Sequence, residues 1–207
     1  MTTQATMRTN IRRDLRDEDA ANYKWTDAEV DRAIARALAD YNLACPGEEG
    51  HIIAAVADTR TYLLTEHPEL LNCLAVRRVE YPADQYPRAF VPFEVDANRY
   101  LTLLVDPPPQ AGNNLRVWAD IPWVISAGSC NIREEHAAIV EGGAAGYLAE
   151  AWAIYAVNRV NTSTLTVQQY QALAQDRLRQ FRAALRRLER ARAQLADQIA
   201  TLAGYEI

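Results

Sequence analysis

The sequence predicts an α+β fold: a helical bundle built from both termini, a small antiparallel β-sandwich or meander inserted between them, and a long C-terminal helix. Three observations carry this. Apolar residues recur at helical spacing up to about residue 45. The period is lost from about His51 to Trp123, where β-branched and aromatic residues rise and turn residues recur. Helical spacing returns near Asn131 and lasts to the end. The expected domains are therefore a helical bundle of 1–46 with 128–207 and an inserted β domain of 47–127.

The first helix is expected over 6–17, where Met7, Ile11 and Leu15 form one stripe. The second opens on Trp25-Thr-Asp-Ala-Glu-Val, the sharpest local signal. Thr26 fits an N-cap, Glu29 completes a capping box, and Trp25 with Val30 fits a hydrophobic staple. Val30, Ile34, Leu38 and Tyr41 then share a face, and Pro46-Gly47 ends the helix.

Six strands are expected, at 52–57, 59–64, 74–81, 89–95, 100–105 and 115–121. His67-Pro68, Asp96-Ala-Asn98 and the run from Pro107 to Asn114 supply turns, the last read as a projecting hairpin tip. The third helix is expected from an Asn131 cap, with Glu134 three residues on, to about Val160. Gly142, Gly143 and Gly146 lie inside it. Each weakens a helix by about 1 kcal/mol against alanine, so the cluster marks a close helix crossing. Val140, Ala144, Tyr147, Ala151 and Tyr155 make its stripe, widened by Leu148 and Trp152. The bundle core is expected to hold Trp25, Val30, Ile34, Leu38, Tyr147 and Trp152.

After a turn at Asn161-Thr-Ser-Thr, the last helix is expected over 166–203. Ala174, Leu178, Phe181, Leu185 and Leu188, then Leu195, Ile199 and Leu202, alternate steps of four and three, with Arg192 on the one missing position. That is a coiled-coil-like seam with one polar interruption. Seven arginines against Asp176, Glu189, Asp197 and Glu206 leave 164–207 at +3. The chain's −5 then leaves the rest at −8.

Composition narrows the function classes. Of 207 residues, 49% are apolar and 24% charged, as in a globular protein with a real core. The net charge gives no global reason to expect nucleic-acid or membrane binding. No apolar run approaches the roughly 18 residues a membrane helix needs. The stretch from Met1 to Arg8 lacks a signal-type apolar run, so synthesis in the cytoplasm is expected. Cys45, Cys73 and Cys130 are odd in number and far apart, which argues against a disulfide framework or a zinc site. Lys24 is the only lysine; arginine, better suited to bidentate contacts, carries the remaining positive charge.

Chemistry-bearing motifs are missing. His51, His67 and His136 stand in no metal-binding spacing. No G-x-S-x-G, phosphate loop or dinucleotide fingerprint occurs. Glu48-Glu49 and Glu134-Glu135 are adjacent pairs that read as solvated side chains. No catalytic, cofactor or metal residue is nominated. The expectation is a non-catalytic protein that works by assembly.

The order of elements, with Trp25-Thr-Asp-Ala-Glu-Val-Asp-Arg-Ala-Ile, Tyr100-Leu-Thr-Leu-Leu, Leu115-Arg-Val-Trp and Asn131-Ile-Arg-Glu-Glu-His-Ala-Ala-Ile-Val-Glu-Gly-Gly-Ala, resembles the head-to-tail connector (adaptor, head completion) proteins of tailed bacteriophages. The resemblance covers most of the chain and rests on capping and packing signals. It implies a ring of identical subunits, typically twelve, between the portal protein and the tail or nozzle proteins in the virion. Such a ring continues the DNA channel without specific DNA binding, and uses no cofactor and no membrane. The length and arginines of the last helix nominate Arg182, Arg186, Arg187, Arg190, Arg192, Tyr205 and Ile207 as the portal contact. The competing readings are a nucleic-acid-binding regulator dimerising through the Arg-rich last helix, and an enzyme whose site forms between subunits.

Overall fold

The computed structural model describes residues 2–126, 130–157 and 164–202. Over these residues the fold is α+β, with four α-helices and two small antiparallel sheets. The chain forms two compact units, one of Met1–Cys45 with Trp123–Ile207 and the other Pro46–Pro122. The sequence-based boundary at 127 falls in the undescribed stretch 127–129. The observed division comes earlier because Trp123 is tied to the second helix. Its N–H donates to Asn42 Oδ1 at 2.8 Å, Asn42 Nδ2 donates to its carbonyl at 3.0 Å, and its indole N–H donates to the Cys45 carbonyl at 2.7 Å.

In the helical unit, α1 (Gln4–Asp14) starts earlier than its stripe suggested because Thr3 caps it, accepting from the Thr6 N–H. α2 (Asp27–Ala44) opens on Thr26 with a complete capping box. Glu29 N–H reaches Thr26 Oγ1 at 3.3 Å, and Thr26 N–H reaches Glu29 Oε2 at 2.7 Å. These bonds hold the Glu29 carboxyl below its ordinary pKa, the backbone bond to Thr26 contributing most. α1 is bound to this capped end by charge. Arg12 is buried, pairs with buried Asp17 at 2.7 Å, and donates to Asp27 at 2.7 Å and to the Trp25 carbonyl at 2.9 Å. A buried arginine is tolerated only when its donors are satisfied in this way.

α3 (Glu134–Val157) does not take its cap from Asn131. The Asn131 side chain turns back to accept from the Val124 N–H at 2.6 Å, closing the approach to the helix instead of its first turn. The expected end near Val160 and the turn at Asn161 to Ser163 lie outside the described residues. α3 is apolar almost all round because α1, α2 and α4 (Thr164–Leu202) all pack on it. Ala151 and Tyr155, expected on its buried stripe, are exposed.

Trp25, Val30, Ile34 and Tyr147 lie in the core of the bundle, and Leu38 and Trp152 pack against it half-exposed. Trp152 stacks obliquely on Tyr170 at 4.1 Å. The Lys24 ammonium sits 4.6 Å from the Trp152 ring and 5.6 Å from Trp25, and donates to the Tyr170 hydroxyl. The only lysine thus joins the α1–α2 link to α3 and α4 through indole faces, a favourable place for a cation.

The glycines of α3 divide by position. A Cβ on Gly143 would lie 2.9 Å from the Phe181 ring, and one on Gly146 3.0 Å from Leu178; Gly142 has open space. Two of the three glycines therefore let α4 approach α3 closely.

In the second unit, β1 (Gly47–Ile53), β7 (Leu115–Ile121), β3 (Ala75–Glu80) and β4 (Phe90–Val91) form a four-stranded sheet in that order. β2 (Thr61–Leu63), β6 (Tyr100–Leu103) and β5 (Phe93–Val95) form a three-stranded sheet. The inner faces share one cluster that includes Ile53, Tyr62, Leu70, Val79, Leu101 and Val117, so the unit is a small sandwich.

Three expectations are corrected here. β1 begins at Gly47, five residues before the expected strand, because Gly50 pairs with Trp118 and leaves room for its ring: a Cβ there would be 3.1 Å from the indole. The single strand expected over 89–95 is two strands in different sheets, broken at Pro92, which has no N–H for a ladder. The segment from Pro107 to Asn114 is no projecting hairpin tip, since β6 and β7 lie in different sheets. It is pinned down by the Asp58 N–H to the Pro109 carbonyl and by the Gln110 N–H to the Tyr81 hydroxyl.

Gly143→Ala is expected to destabilise the protein by about 1–3 kcal/mol through overpacking against Phe181. Gly142→Ala is expected to be neutral or to stabilise by up to about 1 kcal/mol. Urea denaturation of both variants separates crossing from flexibility; equal effects would remove the crossing explanation.

Burial raises the pKa of Glu141, which Asn10 Nδ2 contacts at 2.9 Å. The unfolded chain therefore ionises this group more readily. Its destabilising effect is absent below the usual glutamate range and complete above the raised folded value. Glu141→Gln should raise the melting temperature at pH 7, with the gain shrinking as pH falls through and below the usual glutamate range. A gain that persists unchanged at pH 3 would contradict this.

Candidate functional site

The candidate site is the outward face of α4. At 1.5 Å per residue its 39 residues make a helix about 58 Å long, against about 36 Å for the 24 residues of α3. With Gly143 against Phe181 and Gly146 against Leu178, the antiparallel register brings the first residue of α3, Glu134, level with Arg190. The rest of α4 runs past the start of α3. Side-chain burial follows the same division. Ala174, Leu178 and Phe181 are buried, Leu185 and Leu188 pack on the core half-exposed, and Leu195 is 57% exposed. The side chains of Ile199 and Leu202, further along the seam, lie outside the described residues.

The arginines divide in a second way. Several arginines outside α4 pair with carboxylates: Arg8 with Asp31, Arg36 with Glu150, Arg78 with Glu48, Arg116 with Asp84. On α4, Arg177 pairs with Asp14 of α1 at 3.2 Å. From Arg179 on the pattern changes. Arg179, Arg182, Arg186, Arg187 and Arg190 are all exposed, and among the described residues none has a carboxylate within ion-pair distance. Arg179, Arg182, Arg186 and Arg190 follow one another at steps of three, four and four, so they line one side of the helix.

Arg179, Arg182 and Arg186 wall a groove of about 720 Å³ between α3 and α4. Its apolar lining includes Leu178 and Ile154, the latter 66% exposed. Glu150 on the α3 side is engaged by Arg36 at 3.5 Å. Nearby, Tyr147 donates to Asp40, and burial first, then this bond, pushes its hydroxyl above the ordinary range.

Of the nominated contact residues, the structure brings Arg182 and Arg186 together in the groove wall. Arg187 and Arg190 are exposed along the same helix, and Arg192 sits half-exposed at its seam position. Tyr205 and Ile207 lie outside the described residues. Arg179 and Ile154 were missed. Arg179 shares the helix face of Arg182 and Arg186, a readable signal; Ile154 carries none, because apolar residues occur all round α3.

Among the described residues no second cluster of reactive groups occurs. Cys45, Cys73 and Cys130 are free thiols. His136 is half-buried with Nδ1 2.6 Å from the buried Tyr41 hydroxyl. Among the described residues no group of three or more His, Cys, Asp or Glu is placed to hold a metal, and no helix is long and apolar enough to cross a membrane.

Arg186→Ser and Arg190→Ser are expected to change stability by no more than about 0.5 kcal/mol, since neither side chain supports the fold. Arg12→Ser is expected to cost about 3–5 kcal/mol by leaving Asp17 buried without its partner. Thermal denaturation of the three variants checks the contrast; a large loss at Arg186 or Arg190 would make the row structural.

No protein-family model matches this chain, and comparison with curated proteins gives no match.

Proposed function

We propose that the chain is a non-catalytic structural subunit of a phage head-to-tail connector, assembling as a ring beneath the portal vertex and continuing the DNA channel toward the tail. The observation that carries this reading is α4: it outruns its own partner helix and presents five arginines with no carboxylate beside them in the described chain. A helix built this way is incomplete until another surface covers it. Exposed arginine combined with apolar side chains is the composition that protein interfaces favour. The resemblance in element order supplies the identity of the assembly, a ring of about a dozen copies that meets the portal on one side and tail or nozzle proteins on the other. The distal part of α4, with the segment after it, is the portal-docking element in this reading.

The test is a truncation after Leu188, mixed with the portal protein of the same particle and viewed by electron microscopy. The full chain is expected to form rings on portals. The truncated chain is expected to keep its folded sheet unit and first helices, read by circular dichroism, and to lose portal attachment. A truncated chain that joins portals with unchanged affinity places docking elsewhere. A full-length protein that is a discrete dimer, ignores portals and retains DNA would replace this reading with the nucleic-acid-binding regulator, which the same arginines favour.

A further inference from the structure

The arginine row leaves open what faces it between copies, and the charge distribution of the chain answers this. The sheet unit Pro46–Pro122 holds eleven carboxylates against six arginines. Five of the six arginines are engaged by carboxylates or carbonyls. Arg60, Arg77, Arg78 and Arg116 pair with Asp106, Asp120, Glu48 and Asp84. Arg99 donates to the carbonyls of Leu70, Leu71 and Cys73, and Arg88 lies 5.9 Å from the Trp118 ring. These four ion pairs leave seven carboxylates without an arginine partner in their own unit. Two of them, Glu66 and Glu69, are exposed on consecutive short 3-10 turns, Leu64–Glu66 and Pro68–Leu70. They adjoin Leu71 and Leu74, which are 50% and 47% exposed.

The two surfaces are complementary in kind. One is a groove with an arginine wall and an apolar lining that includes Leu178 and exposed Ile154. The other is a pair of carboxylates beside two exposed leucines. An acidic surface with an apolar edge satisfies both features of the groove. A nucleic-acid backbone satisfies only the charge, and among the described residues no aromatic ring lines the groove for a base to stack on.

We propose that the α4 groove at Arg179, Arg182 and Arg186 is the receiving half of a contact between copies, and that it receives the Glu66–Glu69 turn, with Leu71 and Leu74, of a second copy. Different surfaces meet in such a contact, so each subunit keeps one free half of each kind and the assembly grows until it closes into a ring or extends as a filament. This deepens the connector reading by naming the lateral contact and rests on it for ring closure alone.

The experiment is charge exchange, read by light scattering on a sizing column and by sedimentation velocity, without portal and at low and high salt. The wild type is expected to associate, less so at high salt. Arg182→Glu with Arg186→Glu, and separately Glu66→Arg with Glu69→Arg, are each expected to weaken self-association by about 100-fold or more through like-charge contact. An equimolar mixture of the two variants is expected to regain assembly with alternating subunits, because every interface again pairs opposite charges. Circular dichroism and melting of each variant establish that it is folded.

A wild type that stays monomeric at low salt overturns the proposal. So do reversal variants that assemble like the wild type, or folded variants whose mixture stays dispersed. A wild type that remains monomeric but retains a single-stranded 20-mer in a salt-dependent way, lost in the arginine variant, makes nucleic acid the occupant. An exchanged-charge assembly that never meets portal leaves this contact standing and removes the connector reading; portal-bound rings indifferent to both reversals do the opposite.

Discussion

The approach of α4 to α3 at Gly143 and Gly146 is the constraint from which the rest of the helical unit follows. Two missing side chains let Phe181 and Leu178 sit against the α3 backbone. That contact sets the register of an antiparallel pair whose members differ in length by fifteen residues. Once the register is set, the chain has no freedom over which part of α4 is covered. The first two-thirds lie against α3, and the remainder has nothing of α3 beside it. Shifting the helix by one turn in either direction would press Phe181 or Leu178 onto residues that carry side chains.

Arginine serves two opposite purposes in this molecule, and the difference lies in what surrounds it. Arg12 is buried at the start of α2, with Asp17, Asp27 and the Trp25 carbonyl taking its donors and the Tyr23 ring 3.6 Å from the guanidinium. In that setting the group is held in place and specifies how α1 meets α2. The arginines from Arg179 to Arg190 are exposed to water. Guanidinium groups shed water more readily than ammonium groups do, so a row of them is well suited to be desolvated later by another surface. The single lysine stands apart from both patterns, over two indole rings.

What was legible in the sequence was local, and what was not depended on residues far away. The Thr26–Glu29 box needs only four residues to form, and it formed as read. Asn131 with Glu134 presents the same local signal, yet the Asn131 side chain is taken by the Val124 N–H, seven residues back. Pro46-Gly47 reads only as the end of α2, with a strand from residue 52, until Trp118 is known to lie across from Gly50. The proline run 107–109 reads as a hairpin tip until β6 and β7 are known to belong to different sheets. For the site, the arginine face of α4 was readable from its spacing. Which of its arginines lacked partners was not, since that depends on where α1 and α2 bring their carboxylates.

The attachment of Trp123 to Asn42 and Cys45 has a topological consequence. The chain leaves the helices just after Cys45 and is back among them at Trp123, with three hydrogen bonds joining departure and return. The helical unit therefore contains its own clasp, and the residues between Pro46 and Pro122 form one closed excursion of the chain. Closure entropy grows only slowly with the length of a loop, so the clasp is nearly indifferent to the size of what it holds. By this physics an excursion of different length or charge leaves the clasp, and with it the packing of the helices, in place.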